Sequence, residues 1–295
     1  MQNMKQRQAE ILLASVIVAR ATSLLFSTWS MRSMGPFNLT GLRFGIAFLF
    51  LLPLLRKRFK AIRPATVLRG FVLGAVFFAT IAAELYGLRA TDSSTTSFLE
   101  NTAIVWVPLL AAAIHRSRIR GRTLSSAAVT LLGVALLTLG KSSFRLGYGE
   151  LLCLLAALLY AAAILLTARF SREDDPLVLG ILQVGFIGLL GLAAAFLTET
   201  PQLPRSGGEW GMILVLALVC SGFGFTLQPM AQRYVSAEKA GMFCALNPLT
   251  AAVLGALFLR ERLGLWGFAG AALILCGILI QSLGERRKRP RLARA

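Results

Sequence analysis

Four ionisable residues lie inside long apolar stretches of the sequence: Arg20, Arg43, Glu84 and Glu100. A charged side chain at the centre of a membrane helix costs at least ~2.5–3.5 kcal/mol if it faces lipid, so we expect each to face other helices. An arginine offers a forked hydrogen-bond donor to a carboxylate or a phosphate. A carboxylate accepts hydrogen bonds from an ammonium group, or takes up and releases a proton. These residues therefore predict a charged site for substrate binding or coupling inside a helical bundle.

The depth of the four residues indicates how they pair. Counted at about 1.5 Å of rise per residue, Arg43 and Glu100 both lie roughly 10 Å from the outer helix ends. We therefore predict that Arg43 pairs with Glu100, and that Arg20 reaches Glu84 or shares Glu100. Two interpretations stay open, because a buried ion pair can belong to a binding site or can simply hold two helices together.

Uncharged polar residues inside the apolar stretches are further candidates, because such side chains either bridge helices or line a water path. The candidates for substrate contact are Asn101, Tyr160, Gln183, Gln228 and Asn247. Pro248 directly follows the last of them, and proline removes one backbone hydrogen bond and kinks a helix. We predict a gating hinge at Pro248, with a packing irregularity as the alternative.

The composition requires that these residues be positioned by membrane helices. Of 295 residues, 56% are hydrophobic and 15% are charged, whereas soluble domains carry about 25% charged residues. A membrane helix needs about 20 largely apolar residues. Ten such stretches are predicted: 9–31, 36–55, 66–88, 93–115, 123–141, 149–169, 177–198, 209–232, 237–259 and 263–284.

The basic residues predict the orientation of these spans. The net charge is +18, and the basic residues cluster between the apolar stretches rather than on a polar surface that could bind nucleic acid. The side that holds both termini carries about three times as many of them as the other side. Because positively charged loops stay inside, both termini are predicted to be cytoplasmic.

The second half of the chain repeats the first with a shift of 140 to 144 residues. Matched landmarks include Pro36 with Pro176, Gly45 with Gly185, Arg116 with Arg260, and Gly133 with Gly277. Each unit holds five spans, and an odd number inserts the second copy in the opposite sense. We therefore predict an all-α membrane protein of ten helices in two inverted five-helix repeats, 1–146 and 147–284, followed by a basic cytoplasmic tail, 285–295.

The repeat assigns a neutral counterpart to each intramembrane charge. The counterparts are Tyr160 for Arg20, Gln183 for Arg43, Gln228 for Glu84, and Cys244 for Glu100. The first half is thus expected to supply the charges of a central cavity, and the second half neutral hydrogen-bonding groups. Two inverted halves around such a cavity are typical of alternating access.

The sequence lacks the signals that are typical of metalloproteins, enzymes and ATP-binding proteins. The chain has one histidine, His115, and four isolated cysteines, so neither a metal site nor a catalytic set is expected. No GxxxxGK[ST] motif for ATP is found. No cofactor, metal or nucleic-acid partner is expected.

A family resemblance covers about residues 9–284. It is carried by the pieces SMRSMGPFNLTGLRFGIAF, LYGLRATDSSTTSFLENTAIVWVPLL and AEKAGMFCALNPLTAAVLGALFLRERLGLWGFAGAALILCGIL. The chain resembles the EamA-type branch of the drug/metabolite transporter superfamily, most clearly where Asn247-Pro248 is followed by Arg260-Glu261-Arg262-Leu263. The resemblance implies a bacterial inner-membrane transporter of small organic metabolites, often amino acids or drug-like compounds.

We therefore expect an alternating-access transporter that moves a small organic solute outward, with protons as the coupling ion. Its partners would be the solute and the lipid bilayer, and the sequence leaves the oligomeric state open. One alternative is an importer in which Arg20 and Arg43 bind an anionic metabolite while Glu84 and Glu100 are structural. The other alternative is a membrane protein that transports nothing.

Overall fold

A computed structural model describes residues 4–91, 93–138, 147–258 and 265–286. Within these ranges the regular structure is helical, with no residue in a strand. The α-helices are α1 (Gln6–Ala21), α2 (Ser23–Ser30), α3 (Pro36–Lys57), α4 (Pro64–Ala90), α5 (Ser93–Asn101), α6 (Ala103–Ile114), α7 (Gly121–Thr138), α8 (Tyr148–Glu173), α9 (Pro176–Thr198), α10 (Gly207–Val215), α11 (Thr226–Gln232), α12 (Ala237–Phe243), α13 (Leu246–Phe258) and α14 (Leu265–Arg286). A 3₁₀-helix covers Phe59–Ala61, and a π-helix covers Leu216–Phe225 between α10 and α11.

The length of the helices fits a bilayer. Seven helical stretches of the described residues are long and apolar enough to span one: Gln6–Ser30, Pro36–Lys57, Pro64–Ala90, Ser93–Ile114, Tyr148–Glu173, Pro176–Thr198 and Gly207–Gln232. Two further stretches, Gly121–Leu137 and Leu265–Gln281, are apolar but shorter. The predicted span 237–259 is divided between α12 and α13. The structure therefore shows a helical protein with several membrane-spanning helices, while ten spans in two inverted repeats stay a prediction.

Two parts of the sequence-based interpretation lie outside the described residues. They are the Arg260-Glu261-Arg262 segment of the family resemblance and residues 287–295 of the basic tail.

The helices begin where the sequence supplies suitable residues. Proline starts α3, α4 and α9, because its missing N–H would have no partner in a first helical turn. Asp175 caps α9, accepting hydrogen bonds from the backbone N–H groups of Leu177 (2.9 Å) and Val178 (3.2 Å). The other carboxylate oxygen of Asp175 forms a salt bridge of 2.7 Å with Arg58, directly after α3. This end of α9 is thereby tied to α3.

The opposite ends of α3 and α9 are tied by a second carboxylate. Glu199, which follows α9, accepts hydrogen bonds from the backbone N–H groups of Phe37 (3.1 Å) and Asn38 (2.8 Å) in the first turn of α3. A negative charge at a helix N-terminus also interacts favourably with the helix dipole. The two helices are thus held together at both ends.

Glycines bring two pairs of helices into close backbone contact. A Cβ atom on Gly191 of α9 would lie 2.7 Å from the backbone nitrogen of Gly41 in α3. A Cβ atom on Gly133 of α7 would lie 2.7 Å from the carbonyl oxygen of Gly270 in α14. Small residues allow this approach, which favours helix association in a bilayer. Both contacts join helices that the sequence repeat makes equivalent.

Candidate transport cavity

Interrupted helices position the candidate site. Thr22 separates α1 from α2, and Thr102 separates α5 from α6. Each threonine hydroxyl donates a hydrogen bond to the carbonyl oxygen three residues earlier, at 2.9 Å for Thr22 and 2.6 Å for Thr102. The side chain thereby supplies a donor to a backbone carbonyl group near the end of the helix. A third interruption, at Cys244 and Ala245, separates α12 from α13.

The π-helix at Leu216–Phe225 adds a fourth irregularity at the same place. A π-helical turn is wider than an α-helical one and occurs frequently at functional sites. Cys220, Ser221 and Phe225 of this segment line a cavity. Residues next to the three interruptions line the same cavity. Irregular backbone at membrane depth is tolerated where it lines a cavity.

We call this space the central cavity. The charged and polar side chains that line it are Arg20, Ser23, Arg43, Thr80, Glu84, Ser97, Glu100, Asn101, Tyr160, Cys220, Ser221, Cys244 and Asn247, and its aromatic side chains are Phe77 and Phe225. The centres of water molecules can occupy about 70 Å³ of it, which is room for roughly five waters at about 10–15 Å³ each. A small polar solute fits this space.

Arg20 connects the two halves of the chain at the cavity. Its Nη1 donates hydrogen bonds to the Tyr160 hydroxyl (3.0 Å) and to Oε1 of Gln228 (2.7 Å). Its guanidinium carbon lies 4.0 Å from the ring centroid of Phe225 and 5.1 Å from that of Tyr160. These cation–π contacts stabilise the charge without supplying a counter-ion. Arg20 therefore contacts its own sequence-repeat counterpart, Tyr160.

Arg43 is the most deeply buried charge of the cavity, with 4% of its surface exposed. Its Nη1 donates to the hydroxyl groups of Ser23 (2.9 Å) and Ser27 (3.3 Å). Its Nε is buried and has no hydrogen-bond partner among the described residues. The guanidinium carbon lies 4.9 Å from the ring centroid of Phe44. The hydrogen-bonding and ring contacts of Arg43 are therefore with neutral groups, while Glu84 acts on it electrostatically from a greater distance.

Glu84 and Glu100 contact each other. Their side chains lie close enough to interact directly, and two adjacent carboxyl groups repel each other less when one of them carries a proton. Glu84 interacts electrostatically with both Arg20 and Arg43, and Glu100 interacts with Arg20. Two carboxyl groups sharing one proton are a pattern found in acid–base sites.

The predicted ion pairs are not present in the part of the chain that the structure describes. Neither Glu84 nor Glu100 lies within the 4.0 Å limit for a salt bridge to Arg20 or Arg43. The prediction that Arg43 pairs with Glu100 is therefore wrong. Depth along the helix axis does not determine rotation about that axis, so two residues at equal depth can lie on faces that do not meet.

The predicted amide residues have different surroundings. Gln183 is fully buried and donates from Nε2 to the carbonyl oxygen of Phe225 (2.6 Å), so it supports the cavity wall without lining the cavity. Asn101 donates from Nδ2 to the carbonyl oxygen of Ser97 (2.7 Å). The Oδ1 atoms of Asn101 and Asn247 are buried and have no partner among the described residues. The structure thus supplies two acceptors at the cavity in addition to the charges.

Pro248 is the third residue of α13, just after the interruption at Cys244 and Ala245. In a first helical turn the missing N–H of proline removes no hydrogen bond. The helix is interrupted where the sequence predicts a kink, and the role of Pro248 as a gating hinge stays a prediction.

Sequence reasoning missed several residues of the site. Ser23 and Ser27, the hydrogen-bond partners of Arg43, stand four residues apart and therefore lie on one helix face, which was the available signal. It also missed Lys239, which is fully buried and forms a 2.6 Å ion pair with Glu10. This pair joins α12 to α1, beyond the cavity toward the end of the bundle where α1 begins.

Comparisons with known proteins decide the family. The model of the EamA-like transporter family matches residues 7–139 and again residues 147–283. The chain belongs to this family. The EamA resemblance inferred from the sequence is thereby confirmed, and the protein is a multi-pass membrane transporter by family.

Individual relatives agree with the family assignment. The chain is 27% identical over 288 residues to an uncharacterized transporter of Archaeoglobus fulgidus, covering 96% of this chain and 88% of that protein. It is 25% identical over 299 residues to the uncharacterized transporter YetK of Bacillus subtilis, covering 96% and 89%. A solved crystal structure with 19% sequence identity superposes with a TM-score of 0.81, covering 97% of this chain and all of the other. That likeness shows a shared fold.

Proposed function

We propose that this EamA family member is a secondary active transporter that moves small organic metabolites outward across the bacterial inner membrane by alternating access. The observation that carries this proposal is the central cavity, which is polar, small and lined by interrupted helices from both halves of the chain. Discontinuous helices around a site in the middle of the membrane are typical of transporters. Amino acids and drug-like compounds are the solute classes that the family resemblance suggests.

We further propose that residues 1–146 and 147–284 are inverted five-helix repeats. Two separate matches to one family model support a duplication. The close contacts of α3 with α9 and of α7 with α14 join equivalent helices, as expected around a pseudo-twofold axis. Rocking one repeat against the other would expose the cavity to either side.

Protons are the proposed coupling ion. In this proposal the adjacent carboxyl groups of Glu84 and Glu100 share one proton, because two carboxylates side by side repel each other. Loss of that proton would place two negative charges side by side, close to two arginines. Binding of a solute charge at the cavity can therefore be linked to release or uptake of the proton.

The proposed orientation places both termini in the cytoplasm, with residues 285–295 as a basic tail. The excess of basic residues on that side supports it. Fusion of a reporter that fluoresces only in the cytoplasm to the C-terminus tests it, and a dark fusion that is fully translated would contradict it.

Transport is tested in two steps. First, a metabolite panel is measured in cells and medium, in strains with and without the protein, and the solute whose efflux depends on the protein is selected. Second, the purified chain is reconstituted into liposomes, and movement of that solute is measured with and without a pH gradient. We expect gradient-dependent movement. Failure to move any panel member in either step would overturn the proposed function.

Glutamine variants test the coupling residues. Glu84→Gln and Glu100→Gln keep the size of the side chain but cannot exchange a proton, so we expect the response to the pH gradient to disappear. Glu238→Gln is the matched control, because Glu238 lies in the first turn of α12 and does not line the central cavity. Full gradient response in both cavity variants would refute proton coupling by this pair.

A second candidate function is import of an anionic metabolite, with Arg20 and Arg43 as the binding groups. It is favoured by the absence of any carboxylate within 4.0 Å of Arg43 among the described residues. Inward movement of an anion that persists in both glutamine variants would support this alternative against proton-coupled export.

A further inference from the structure

The chemistry of Arg43 indicates what the cavity binds. The side chain lines the cavity, is 4% exposed, and among the described residues donates to the hydroxyl groups of Ser23 and Ser27. Its buried Nε has no partner in the described part of the chain. Leaving a buried polar atom without a partner is unfavourable, and more so when the group is charged. Arg43 is therefore prepared to receive a ligand that accepts hydrogen bonds.

The charge balance of the cavity gives the sign of that ligand. The charged or titratable groups that face Arg43 across the cavity are Arg20 of α1, Glu84 of α4, Glu100 of α5, Tyr160 of α8, Cys220 of the π-helix and Cys244 next to α12. Two guanidinium groups are opposed by two adjacent carboxyl groups, which in this proposal share one proton because two carboxylates side by side repel each other. With the phenol and the thiols neutral, the cavity carries one excess positive charge. An anion of charge −1 would neutralise it.

The shape of the donor set favours a carboxylate. The Nε and Nη atoms of a guanidinium form a planar fork that matches the two oxygens of a carboxylate. Cys220 and the aromatic rings of Phe77 and Phe225 leave apolar wall for a short carbon chain. With room for roughly five waters, the cavity limits the ligand to a small molecule.

The unpartnered amide oxygens call for a hydrogen-bond donor on the same ligand. Oδ1 of Asn101 and Oδ1 of Asn247 are buried at the cavity without a partner among the described residues. The orientation of the Asn101 amide is determined by its Nδ2 bond to the carbonyl oxygen of Ser97. A hydroxyl group on the ligand could donate to one of these oxygens, since a hydroxyl is both donor and acceptor.

We propose that the central cavity binds a small hydroxycarboxylate, whose carboxylate is held by Arg43 and whose hydroxyl donates to the amide oxygen of Asn101 or Asn247. This assignment rests on the transport function proposed above, because it names the class of solute for the same cavity. It holds for either direction of transport.

Binding is measured on the full-length protein in detergent, so that the result does not depend on transport. Thermal unfolding and isothermal titration are followed with three probes of similar size: lactate, propionate and ethylamine. We expect lactate to bind and to raise the Tm, propionate to bind several-fold more weakly, and ethylamine to have no effect. Binding of ethylamine with the affinity of lactate would overturn the assignment of the ligand class, and equal affinities for lactate and propionate would overturn the role of the amide oxygens.

Arginine variants locate the carboxylate. Arg43→Gln should weaken lactate binding roughly ten- to a hundredfold, the loss expected for a charged hydrogen bond. Arg43→Lys keeps the charge without the fork and should lie between that variant and the native protein. The control is Arg169→Gln, because the Arg169 side chain is 74% exposed and is not among the residues that line the cavity. Unchanged lactate affinity in a monodisperse Arg43→Gln or Arg43→Lys protein would overturn the role of Arg43.

The two proposals fail in distinguishable ways. Lactate binding in detergent together with no transport of any panel solute in liposomes would overturn the transport function alone. Transport of a panel solute together with no binding of any carboxylate would overturn the ligand assignment alone.

Discussion

Replacing Tyr160 by phenylalanine should weaken the link that Arg20 makes between the two halves of the chain. The change removes the hydroxyl that accepts the 3.0 Å hydrogen bond from Arg20 and keeps the aromatic ring 5.1 Å from the guanidinium carbon. The change also removes the acceptor of a weak 3.6 Å hydrogen bond from the Cys244 thiol. Most of the loss therefore comes from the hydrogen bond to the charged donor, Arg20.

The magnitude follows from that single bond. A hydrogen bond to a charged group contributes about 1.5–3 kcal/mol to stability, and the remaining bond of 2.7 Å from Arg20 to Gln228 keeps the guanidinium partly satisfied. We expect Tyr160→Phe to lower the free energy of unfolding by about 1.5 kcal/mol, near the lower end of that range. Adding Gln228→Met removes the second acceptor and should raise the total loss to roughly 3–5 kcal/mol, as for a buried charge that loses its partners.

The assay is equilibrium unfolding in mixed micelles of dodecyl maltoside and sodium dodecyl sulfate, followed by circular dichroism. Tyr148→Phe is the control, because 72% of Tyr148 is exposed, and a surface change of this kind should stay within about 0.5 kcal/mol. A double-mutant cycle with Arg20→Met then isolates the interaction. If Tyr160→Phe costs the same with and without Arg20, the hydroxyl and the guanidinium are not coupled and the reasoning is refuted.

Three other substitutions should affect stability, each read out by the same unfolding assay. Gly133→Ala places a Cβ atom 2.7 Å from a backbone oxygen of α14 and should cost about 1–3 kcal/mol by overpacking, whereas Gly121→Ala, with nothing within 4 Å, should cost nothing; equal losses would contradict the close contact. Glu199→Ala leaves two N–H groups of α3 without their acceptor and should cost about 1 kcal/mol, as for loss of a helix cap; no measurable loss would show that water replaces the carboxylate. Arg69→Gln breaks the ion pairs of Arg69 with Glu173 and with Asp174, whose side chain is 5% exposed, and should lower stability measurably; a loss that vanishes in high salt would mean that these pairs are screened like exposed ones.

The sequence was sufficient to predict that Arg20, Arg43, Glu84 and Glu100 line one cavity, because the cost of a charge in lipid leaves few other positions for them. It was also sufficient for the positions of most helices, since apolar stretches of about 20 residues are a strong signal. The family resemblance added the transporter class.

The contacts inside the cavity were beyond the reach of the sequence. Depth along the membrane normal suggested that Arg43 meets Glu100, yet Arg43 meets Ser23 and Ser27. The rotation of each helix about its own axis decides which residues meet at a given depth, and no sequence pattern specifies that rotation. The close approach of Glu84 and Glu100 could not be predicted either, because like charges are expected to avoid each other until a shared proton is considered.

The hydrogen bonds of Arg20 also place a condition on any movement of the bundle. Its two acceptors, Tyr160 and Gln228, belong to the second half of the chain, whereas Arg20 belongs to the first. If the halves separate at this level, the guanidinium must exchange these acceptors for others, because an isolated guanidinium in a low-dielectric space is costly. An incoming solute that accepts hydrogen bonds can take their place. Solute occupancy would then shift the equilibrium between conformations simply by competing with two side chains for one cation.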